Sequence, residues 1–211
     1  MRIDVWSDLV CPWCYIGKRR LERALVGLPG TPDVEIVHRS FQLNPSAPMG
    51  TTSRRREYLM AKYGWSAAKA AQIDAEMEQR AAADGLEYHL SENGLTGNTL
   101  DAHRLVHLAR ERGRQDAVVE RFFRGYFTEQ QSLFDAESLV ALAVDAGLER
   151  DDVQRVLAGT DYTDAVVADA HEARALGVSG VPFFVFNQRL GVSGAQPVEV
   201  FSEALSQAAG Q

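Results

Sequence analysis

Two cysteines, separated by a proline and a tryptophan, are the residues of this chain best suited to chemistry. They are Cys11 and Cys14, and the 211-residue sequence contains no other cysteine. An apolar run precedes them and a helical pattern follows, so we expect Cys11 at the N-terminus of a helix. Backbone N–H groups and the helix dipole stabilise a thiolate at such a position. The spacing therefore predicts a redox pair in which Cys11 attacks and Cys14, one turn further along, resolves.

Half of a zinc site is the structural alternative for this pair. A tetrahedral zinc site needs two more ligands, and the sequence has no second C-x-x-C and no close cysteine and histidine. His103 and His107 have the i, i+4 spacing that can bind a metal on a helix, and Glu111 continues the same face. Pairs of this kind are more often surface or half-buried histidines. We therefore expect no metal and no bound organic cofactor.

Charge and composition argue against several classes of partner. The formal net charge is -7 and 45% of the residues are hydrophobic, which argues against nucleic acid or an anionic membrane as the main partner. The sequence does not open on a signal peptide, and no apolar run approaches the ~18 residues that span a bilayer. We expect a cytoplasmic protein, monomeric or homodimeric. A cytoplasmic compartment keeps thiols reduced, so two cysteines there are poorly explained as a structural disulfide.

The residues around the cysteines predict a βαβ unit. Apolar and polar side chains alternate before and after a helical pattern. Pro12 suits the first turn of that helix, where its missing N–H costs nothing, and Lys18 is expected on the outer side. The predicted elements are a strand at residues 2–6, a helix from Trp13 to about Gly27, a turn at 29–32 and a strand at 34–41.

A long helical section follows a loop at residues 43–52. Glycines separate its helices, and Asp135 and Asp161 are candidate N-caps. This is too much helix for a connection, so we expect an inserted helical subdomain. The predicted helices are at residues 53–63, 66–84, 98–112, 114–130, 135–146, 149–157 and 161–176.

The C-terminal residues return to a β-forming pattern. Residues 183–186 predict a strand, residues 190–194 its hairpin partner, and Pro197 opens a closing amphipathic helix. The order is therefore βαβ, then helices, then ββα.

With these motifs in this order, the chain resembles the FrnE-like branch of the DsbA family of oxidoreductases. The resemblance runs nearly end to end and implies an α/β, thioredoxin-like fold with a large all-helical insertion. It implies a thioredoxin-like domain of residues 1–45 and 177–211 and an insertion of residues 46–176. Four blocks carry it: Asp8 to Gly17 (DLVCPWCYIG), Arg39 to Pro45 (RSFQLNP), Thr99 to Leu105 (TLDAHRL) and Gly177 to Phe184 (GVSGVPFF).

The resemblance also implies roles for individual residues. Cys11 is then the nucleophile, Cys14 the resolving thiol, and Pro182 a cis proline beside them. The backbone of Val181 would pair with an extended substrate. Pro12, Trp13 and Pro182 are predicted to bind substrate beside it, and Pro12 and Trp13 would also set the redox potential locally. Without the resemblance, Pro182 reads as an ordinary trans proline before a strand. The implied activity is exchange of a disulfide with protein or small-molecule thiols.

One departure from the family concerns proton transfer. Thioredoxin and DsbA have a buried acid six residues before the first cysteine, where this chain has Val5. Asp8 is the nearest carboxylate and either replaces that acid or caps the turn. His103 lies in a family-like block and is a candidate for the cleft wall above the thiols.

Two other functions stay open from the sequence. The chain also resembles isomerases and transferases that depend on glutathione or another thiol, of the 2-hydroxychromene-2-carboxylate isomerase or kappa type. Those enzymes typically have serine at the position of Cys11. A non-catalytic thioredoxin-fold binding module is the other.

The three arginines at residues 54–56 indicate a solvated helix start. Four aromatic residues at helical spacing predict core of the insertion or, alternatively, an apolar substrate wall: Phe122, Phe123, Tyr126 and Phe127.

Overall fold

Strands open and close the chain, and its middle is mostly helical. The computed structural model describes residues 1–27, 33–90 and 94–210. Within them, the strands are β1 (Arg2–Ser7), β2 (Glu35–Ser40), β3 (Thr52–Arg54), β4 (Leu95–Gly97), β5 (Phe183–Phe186) and β6 (Leu190–Ser193). The helices are α1 (Pro12–Val26), α2 (Arg55–Tyr63), α3 (Ala67–Ala83), α4 (Leu100–Glu111), α5 (Gln115–Phe127), α6 (Ala136–Asp145), α7 (Arg150–Ala158), α8 (Thr163–Ala175) and α9 (Val198–Ala209).

β1 lies inside a sheet whose strand order, in the described residues, is β2-β1-β5-β6. It pairs in parallel with β2 and antiparallel with β5, and β5 pairs antiparallel with β6. Ile3 is opposite Ile36 on one side and Phe186 on the other. The right-handed βαβ connection of such sheets leads from the carboxyl end of one strand into a helix, which is where ligands bind. The predicted βαβ and ββα units are both present, and they share one sheet.

Both faces of the sheet are covered by helices. On one face, α1 and α9 pack on the sheet through an apolar cluster that includes Leu21, Phe184 and Phe201. On the other face, Trp6 packs with Ala173 of α8, and the Trp6 indole donates a hydrogen bond to the Asp169 carbonyl oxygen at 3.0 Å. Burial on both sides explains why all four residues of β5 are apolar.

The helical section packs against the start of α1. One apolar cluster contains both cysteines, Tyr15 and the core of α4 to α7, so it connects the sheet to the insertion. The predicted aromatic core of α5 is confirmed: Phe122, Phe123 and Phe127 are at most 1% exposed. No helix of the described residues has the length and hydrophobicity needed to cross a bilayer.

Three local predictions differ from the structure or fall outside it. Residues 52–54 and 95–97 form a small antiparallel sheet. The sequence did not predict it, because strands of only three residues show no alternation of apolar and polar side chains. Asp135 is confirmed as an N-cap, accepting a hydrogen bond from the Ser138 N–H at 2.9 Å. Asp161 is wrong as an N-cap, because α8 begins after Tyr162 and the Asp161 carboxylate pairs with Arg155. The predicted turn at residues 29–32 lies outside the described residues.

Lys18 is buried rather than on the outer side of α1. Its side chain is 6% exposed, and its ammonium lies 3.2 Å from Asp116 Oδ1 and 2.9 Å from Glu120 Oε2. Its (CH₂)₄ stem crosses the packed face between α1 and α5 while the charge meets carboxylates. Although burial opposes ionisation, these carboxylates raise the pKa of Lys18.

This ion cluster predicts acid sensitivity. The pKa of Asp116 is lowered, first by its hydrogen bond with His38 and then by the charge of Lys18. Its stabilisation is therefore complete above the pKa of an unfolded aspartate, about 3.9, and is lost as the pH falls toward the lower folded value. The free energy of unfolding should decrease as the pH is lowered through the acidic range, and we expect this decrease to be smaller in Lys18→Met. Urea denaturation at several acidic pH values measures it. Lys69→Met, at an exposed position on α3, is the control, and equal slopes in the two variants would contradict the assignment.

Candidate functional site

The turn after β1 places Cys11 as the N-cap residue of α1. The Cys11 N–H donates to the Asp8 carbonyl oxygen at 3.0 Å, and the Cys14 N–H donates to the Cys11 carbonyl oxygen at 3.0 Å. Cys11 has extended backbone angles and Pro12 opens the helix. The predicted helix start is confirmed, so the positive end of the α1 dipole lies at Cys11.

The two thiols have unequal surroundings. Both are free and buried, at 5% exposure for Cys11 and 2% for Cys14. Burial raises the pKa of the Cys14 thiol well above its usual value, and a hydrogen bond with Cys11 and the charge of Cys11 add to this rise. Cys14 therefore stays protonated near neutral pH while Cys11 lies at the helix end.

A segment from late in the chain lies against Cys11. The peptide bond between Val181 and Pro182 is cis, and the Cys11 thiol donates a hydrogen bond to the Val181 carbonyl oxygen at 3.7 Å. The fold thus brings together Cys11 and two residues that are about 170 positions away in the chain.

Gly17 allows this close approach of α1 to Pro182. A Cβ atom at Gly17 would lie 3.0 Å from Pro182 Cγ and 3.1 Å from Phe184 Cζ. A larger side chain would push the proline segment away from the helix, since overpacking of this kind costs about 1–3 kcal/mol.

We expect Gly17→Val to lower the free energy of unfolding by about 1–3 kcal/mol and to change the alkylation rate of Cys11. Gly125→Val is the matched control, because a Cβ there would lie 2.8 Å from Leu142 Cδ2, in the helical section. It should destabilise the protein without altering Cys11 alkylation. Urea denaturation and iodoacetamide labelling measure the two effects, and identical Cys11 rates in both variants would show that Gly17 has no special relation to the site.

A cavity of about 460 Å³ opens in front of Cys11. Its wall includes Cys11 and, among the described residues, not Cys14. The wall is mainly aromatic and aliphatic, as in pockets that bind small molecules or apolar side chains. The loop after β2, the start of α1 and helices α2, α3 and α5 supply it, with Pro12, Trp13, Leu43, Tyr58, Leu59, Trp65, Ile73, Met77 and Phe127 among its residues.

The sequence-predicted site residues divide into three groups around this cavity. Pro12 and Trp13 are on its wall, and Val181 contacts Cys11. Pro182 follows Val181 and packs at Gly17. His103 is 2% exposed and is not on the cavity wall. Its Nε2 instead lies 3.5 Å from Oδ1 of Asp8, which is on the wall, so the prediction of His103 in the cleft wall is wrong.

Asp8 has a buried carboxylate with one satisfied oxygen. Asp8 Oδ2 accepts a hydrogen bond from the Leu43 N–H at 2.7 Å, and Oδ1 lies 3.5 Å from His103 Nε2. The carboxylate does not cap α1, whose N-terminus has no side-chain cap in the described residues. It does not cap the turn either, because Oδ2 binds the Leu43 N–H and Oδ1 has no hydrogen-bond partner among the described residues, so the carboxylate joins the turn to the loop after β2.

His103 and His107 each face a different carboxylate. His107 Nε2 lies 3.1 Å from Asp169 Oδ2 and 3.1 Å from Ser40 Oγ. Glu111 accepts a hydrogen bond from the Tyr162 hydroxyl at 2.7 Å. These side chains therefore do not converge on one point. In the part of the chain that the structure describes, no group of three or more potential metal ligands is arranged to hold an ion.

Two supports of the site were missed from the sequence. The Tyr88 hydroxyl donates to the Pro12 carbonyl oxygen at 2.7 Å, which ties the insertion to the cysteine segment. Asp74 of α3 is buried and pairs with Arg55 at 2.6 Å and Arg56 at 3.0 Å. The predicted solvated arginine run is wrong at these two positions. Neither contact has a local sequence signal, because each joins residues from separate elements.

Comparisons with known proteins identify the family and the fold. The family model described as a DSBA-like thioredoxin domain matches residues 2–206. The chain is similar to a probable DsbA oxidoreductase from Streptomyces coelicolor, with 48% identity, coverage of 100% of this chain and 91% of that chain, and a TM-score of 0.95.

Two more distant solved structures share the fold. A 2-hydroxychromene-2-carboxylate isomerase is 17% identical over 99% of this chain and 96% of its own, with a TM-score of 0.71. The cytosolic disulfide reductase DsbM from Pseudomonas aeruginosa is 16% identical over 100% of both chains, with a TM-score of 0.65. The predicted α/β, thioredoxin-like fold with a helical insertion is confirmed, and the chain belongs to the family of DSBA-like thioredoxin domains.

Proposed function

We propose that this protein is a thiol–disulfide oxidoreductase in which Cys11 is the nucleophile and Cys14 the resolving thiol. One observation carries the proposal: two free thiols lie three residues apart, and only the one at the helix N-terminus borders the cavity among the described residues. A thiolate at a helix end is the attacking form, and a deeply buried thiol is protected until it is needed.

The proposed reaction is exchange through a mixed disulfide. The Cys11 thiolate attacks one sulfur of a substrate disulfide, forming the Cys11–substrate bond and releasing the other substrate sulfur as a thiolate. Cys14 then loses its proton and attacks Cys11 Sγ, which expels the second substrate sulfur. The substrate is reduced by two electrons and the protein is oxidised to a Cys11–Cys14 disulfide. The reverse sequence oxidises a substrate dithiol.

Two features support substrate binding next to Cys11. Backbone groups of Val181 at the cis peptide bond are suited to pair with an extended segment, as in short β-addition. The apolar cavity, with Pro12 and Trp13 in its wall, is of the size that holds small molecules or single side chains. We accordingly propose protein or small-molecule thiols and disulfides as partners. The cytosolic location of the related DsbM supports a cytoplasmic protein, and the FrnE-like branch stays a prediction.

An isomerase that uses a thiol without net oxidation is the second candidate. The fold shared with a 2-hydroxychromene-2-carboxylate isomerase and the apolar cavity favour it. A cysteine at position 11 favours redox chemistry instead. The two activities differ in whether Cys14 is consumed, and a binding module would consume neither cysteine.

Oxidation of the reduced protein with hydroxyethyl disulfide tests the proposal. Mass spectrometry after iodoacetamide labelling should show that both thiols are lost together, because the mixed disulfide on Cys11 resolves into an internal disulfide. The oxidised protein should regain both thiols with dithiothreitol and should accelerate the reduction of insulin by dithiothreitol. Persistent labelling of Cys14 beside a stable adduct on Cys11 would instead favour the isomerase, and two unreactive thiols would favour the binding module.

A further inference from the structure

A buried acid and a buried histidine face each other behind the cysteine turn. Asp8 is 1% exposed and His103 is 2% exposed. Asp8 Oδ1 and His103 Nε2 are 3.5 Å apart, which is an ion-pair distance but longer than a good hydrogen bond. Neither atom has a hydrogen-bond partner among the described residues. Leaving such atoms unpaired costs about 1–3 kcal/mol each, so their retention needs an explanation.

The rest of Asp8 is held firmly next to both thiols. Its Oδ2 accepts from the Leu43 N–H at 2.7 Å, and its carbonyl accepts from the Cys11 N–H at 3.0 Å. The Asp8 backbone also makes a hydrogen bond that lowers the pKa of Cys14, and the carboxylate charge acts in the opposite direction and raises it. The free oxygen thus belongs to a fixed carboxylate whose field reaches the resolving thiol.

We propose that Asp8 accepts the proton of the Cys14 thiol in the resolving step, and that His103 is a positioning residue that stabilises the proton on Asp8. The proposal rests on the function proposed above and names the groups that handle its proton.

The Cys14 thiol gives its proton to the Asp8 carboxylate, and its electron pair forms the bond to Cys11 Sγ. The bond between Cys11 and the substrate breaks, and the substrate sulfur leaves with that electron pair as a thiolate. The proton on Asp8 is held against His103 Nε2, the unpartnered atom that faces Oδ1. It then leaves to solvent or to the departing thiolate.

Several ionisable groups surround the pair and set its field. α1 supplies the two thiols and α4 supplies His103. Tyr126 of α5 and Arg55 of α2 are close enough to interact electrostatically with this site. Burial raises the pKa of Tyr126, the charge of Arg55 lowers it, and the charge of Asp8 raises it. Tyr88 lies near the thiols, and its pKa is raised by burial and then by the charge of Cys11. Among the described residues, the cavity wall has two carboxylates, Asp8 and Asp74. Asp74 is bound to two arginines, whereas Asp8 lies in the turn that leads to Cys11.

A second pair of the same type provides a matched control. His107, one turn along α4, lies 3.1 Å from Asp169, and this carboxylate also binds Arg39 and the Ser40 N–H. Both oxygens of Asp169 are therefore engaged. Neither residue is on the cavity wall in the described chain, so this pair is structural where the Asp8 pair is proposed to be active.

Reaction with one equivalent of dithiobis(nitrobenzoate) separates the two steps. Attack by Cys11 releases a first nitrothiobenzoate, and resolution by Cys14 releases a second in a concentration-independent phase. We expect Asp8→Asn, which is nearly isosteric, to slow the second phase by at least about tenfold near neutral pH and to leave the first phase within about threefold. The deficit should shrink at alkaline pH, where hydroxide removes the proton. His103→Gln should cause a smaller loss in the same phase, and His107→Gln should cause none.

The opposite sign would overturn the proposal. If Asp8 acts only through its charge, then Asp8→Asn lowers the pKa of Cys14 and speeds the second phase. An unchanged second phase would also overturn it. If Asp8→Asn does not fold, the comparison of His103→Gln with His107→Gln decides, and equal rates there reject the role of the pair. A wild-type protein without any second phase would instead refute the proposed function itself.

Discussion

Replacement of Cys11 by serine should abolish thiol–disulfide exchange. The hydroxyl of serine does not ionise near neutral pH and is a poor nucleophile toward sulfur, so the helix N-terminus would hold a group that cannot attack. Loss of an enzyme's nucleophile typically removes several orders of magnitude in rate, and we expect at least about three here. Insulin reduction by dithiothreitol measures it, and the rate should fall to that of dithiothreitol alone.

Two controls separate this loss from structural damage. The Cys11 thiol donates a long hydrogen bond to the Val181 carbonyl oxygen at 3.7 Å and shares a hydrogen bond with Cys14, and a serine hydroxyl can take part in both. Circular dichroism and urea denaturation should therefore remain close to those of the wild type. Retention of more than a small fraction of the exchange activity by a folded Cys11→Ser protein would disprove the nucleophile assignment.

Replacement of Cys14 by serine should have the opposite outcome, a stable mixed disulfide. Cys11 still attacks, but no second thiol is present to expel the substrate. We expect Cys14→Ser to accumulate one equivalent of adduct on Cys11 when it is treated with hydroxyethyl disulfide, and to lose catalysis of insulin reduction at low thiol concentration. Mass spectrometry of the intact protein shows the adduct directly.

The same variant can identify substrates, provided that its fold is intact. Cys14 is 2% exposed, so a buried hydroxyl there without a partner would cost about 1–3 kcal/mol. Cys14→Ala, which buries no polar group, is the second variant and should trap the same adduct. If both variants turn over disulfides at the wild-type rate, Cys14 is not the resolving thiol and the thiol-dependent isomerase becomes the better explanation.

The difference between these two outcomes comes from a small geometrical fact. Cys11 is the N-cap residue of α1, and its side chain borders the cavity. Cys14 lies one turn further along α1, and its side chain is surrounded by the packed core. The proposed roles of the attacking and the resolving sulfur therefore follow from the position of each cysteine along the helix and not from residue type.

Sequence patterns were sufficient where the cause of structure is local. The alternation at residues 2–6 predicted β1, Pro12 predicted the start of α1, and the helical spacing of Phe122, Phe123 and Phe127 predicted a buried face. Each of these depends on side-chain period or backbone restriction within a few residues. The four motif blocks likewise identified the family, because their order along the chain is itself information in the sequence.

Only the tertiary structure decided which distant groups meet. The Asp8–His103 pair, the Tyr88 bond to Pro12 and the β3–β4 sheet each join segments that are at least about 40 positions apart, and no period in the sequence encodes such a contact. Lys18 shows the same limit, since its burial depends on carboxylates supplied by α5. The sequence by itself determined the main helices and strands and the position of the two cysteines at the start of α1, because those depend on neighbours along the chain. The cavity and the Asp8–His103 pair depend on neighbours in space, which only packing brings together.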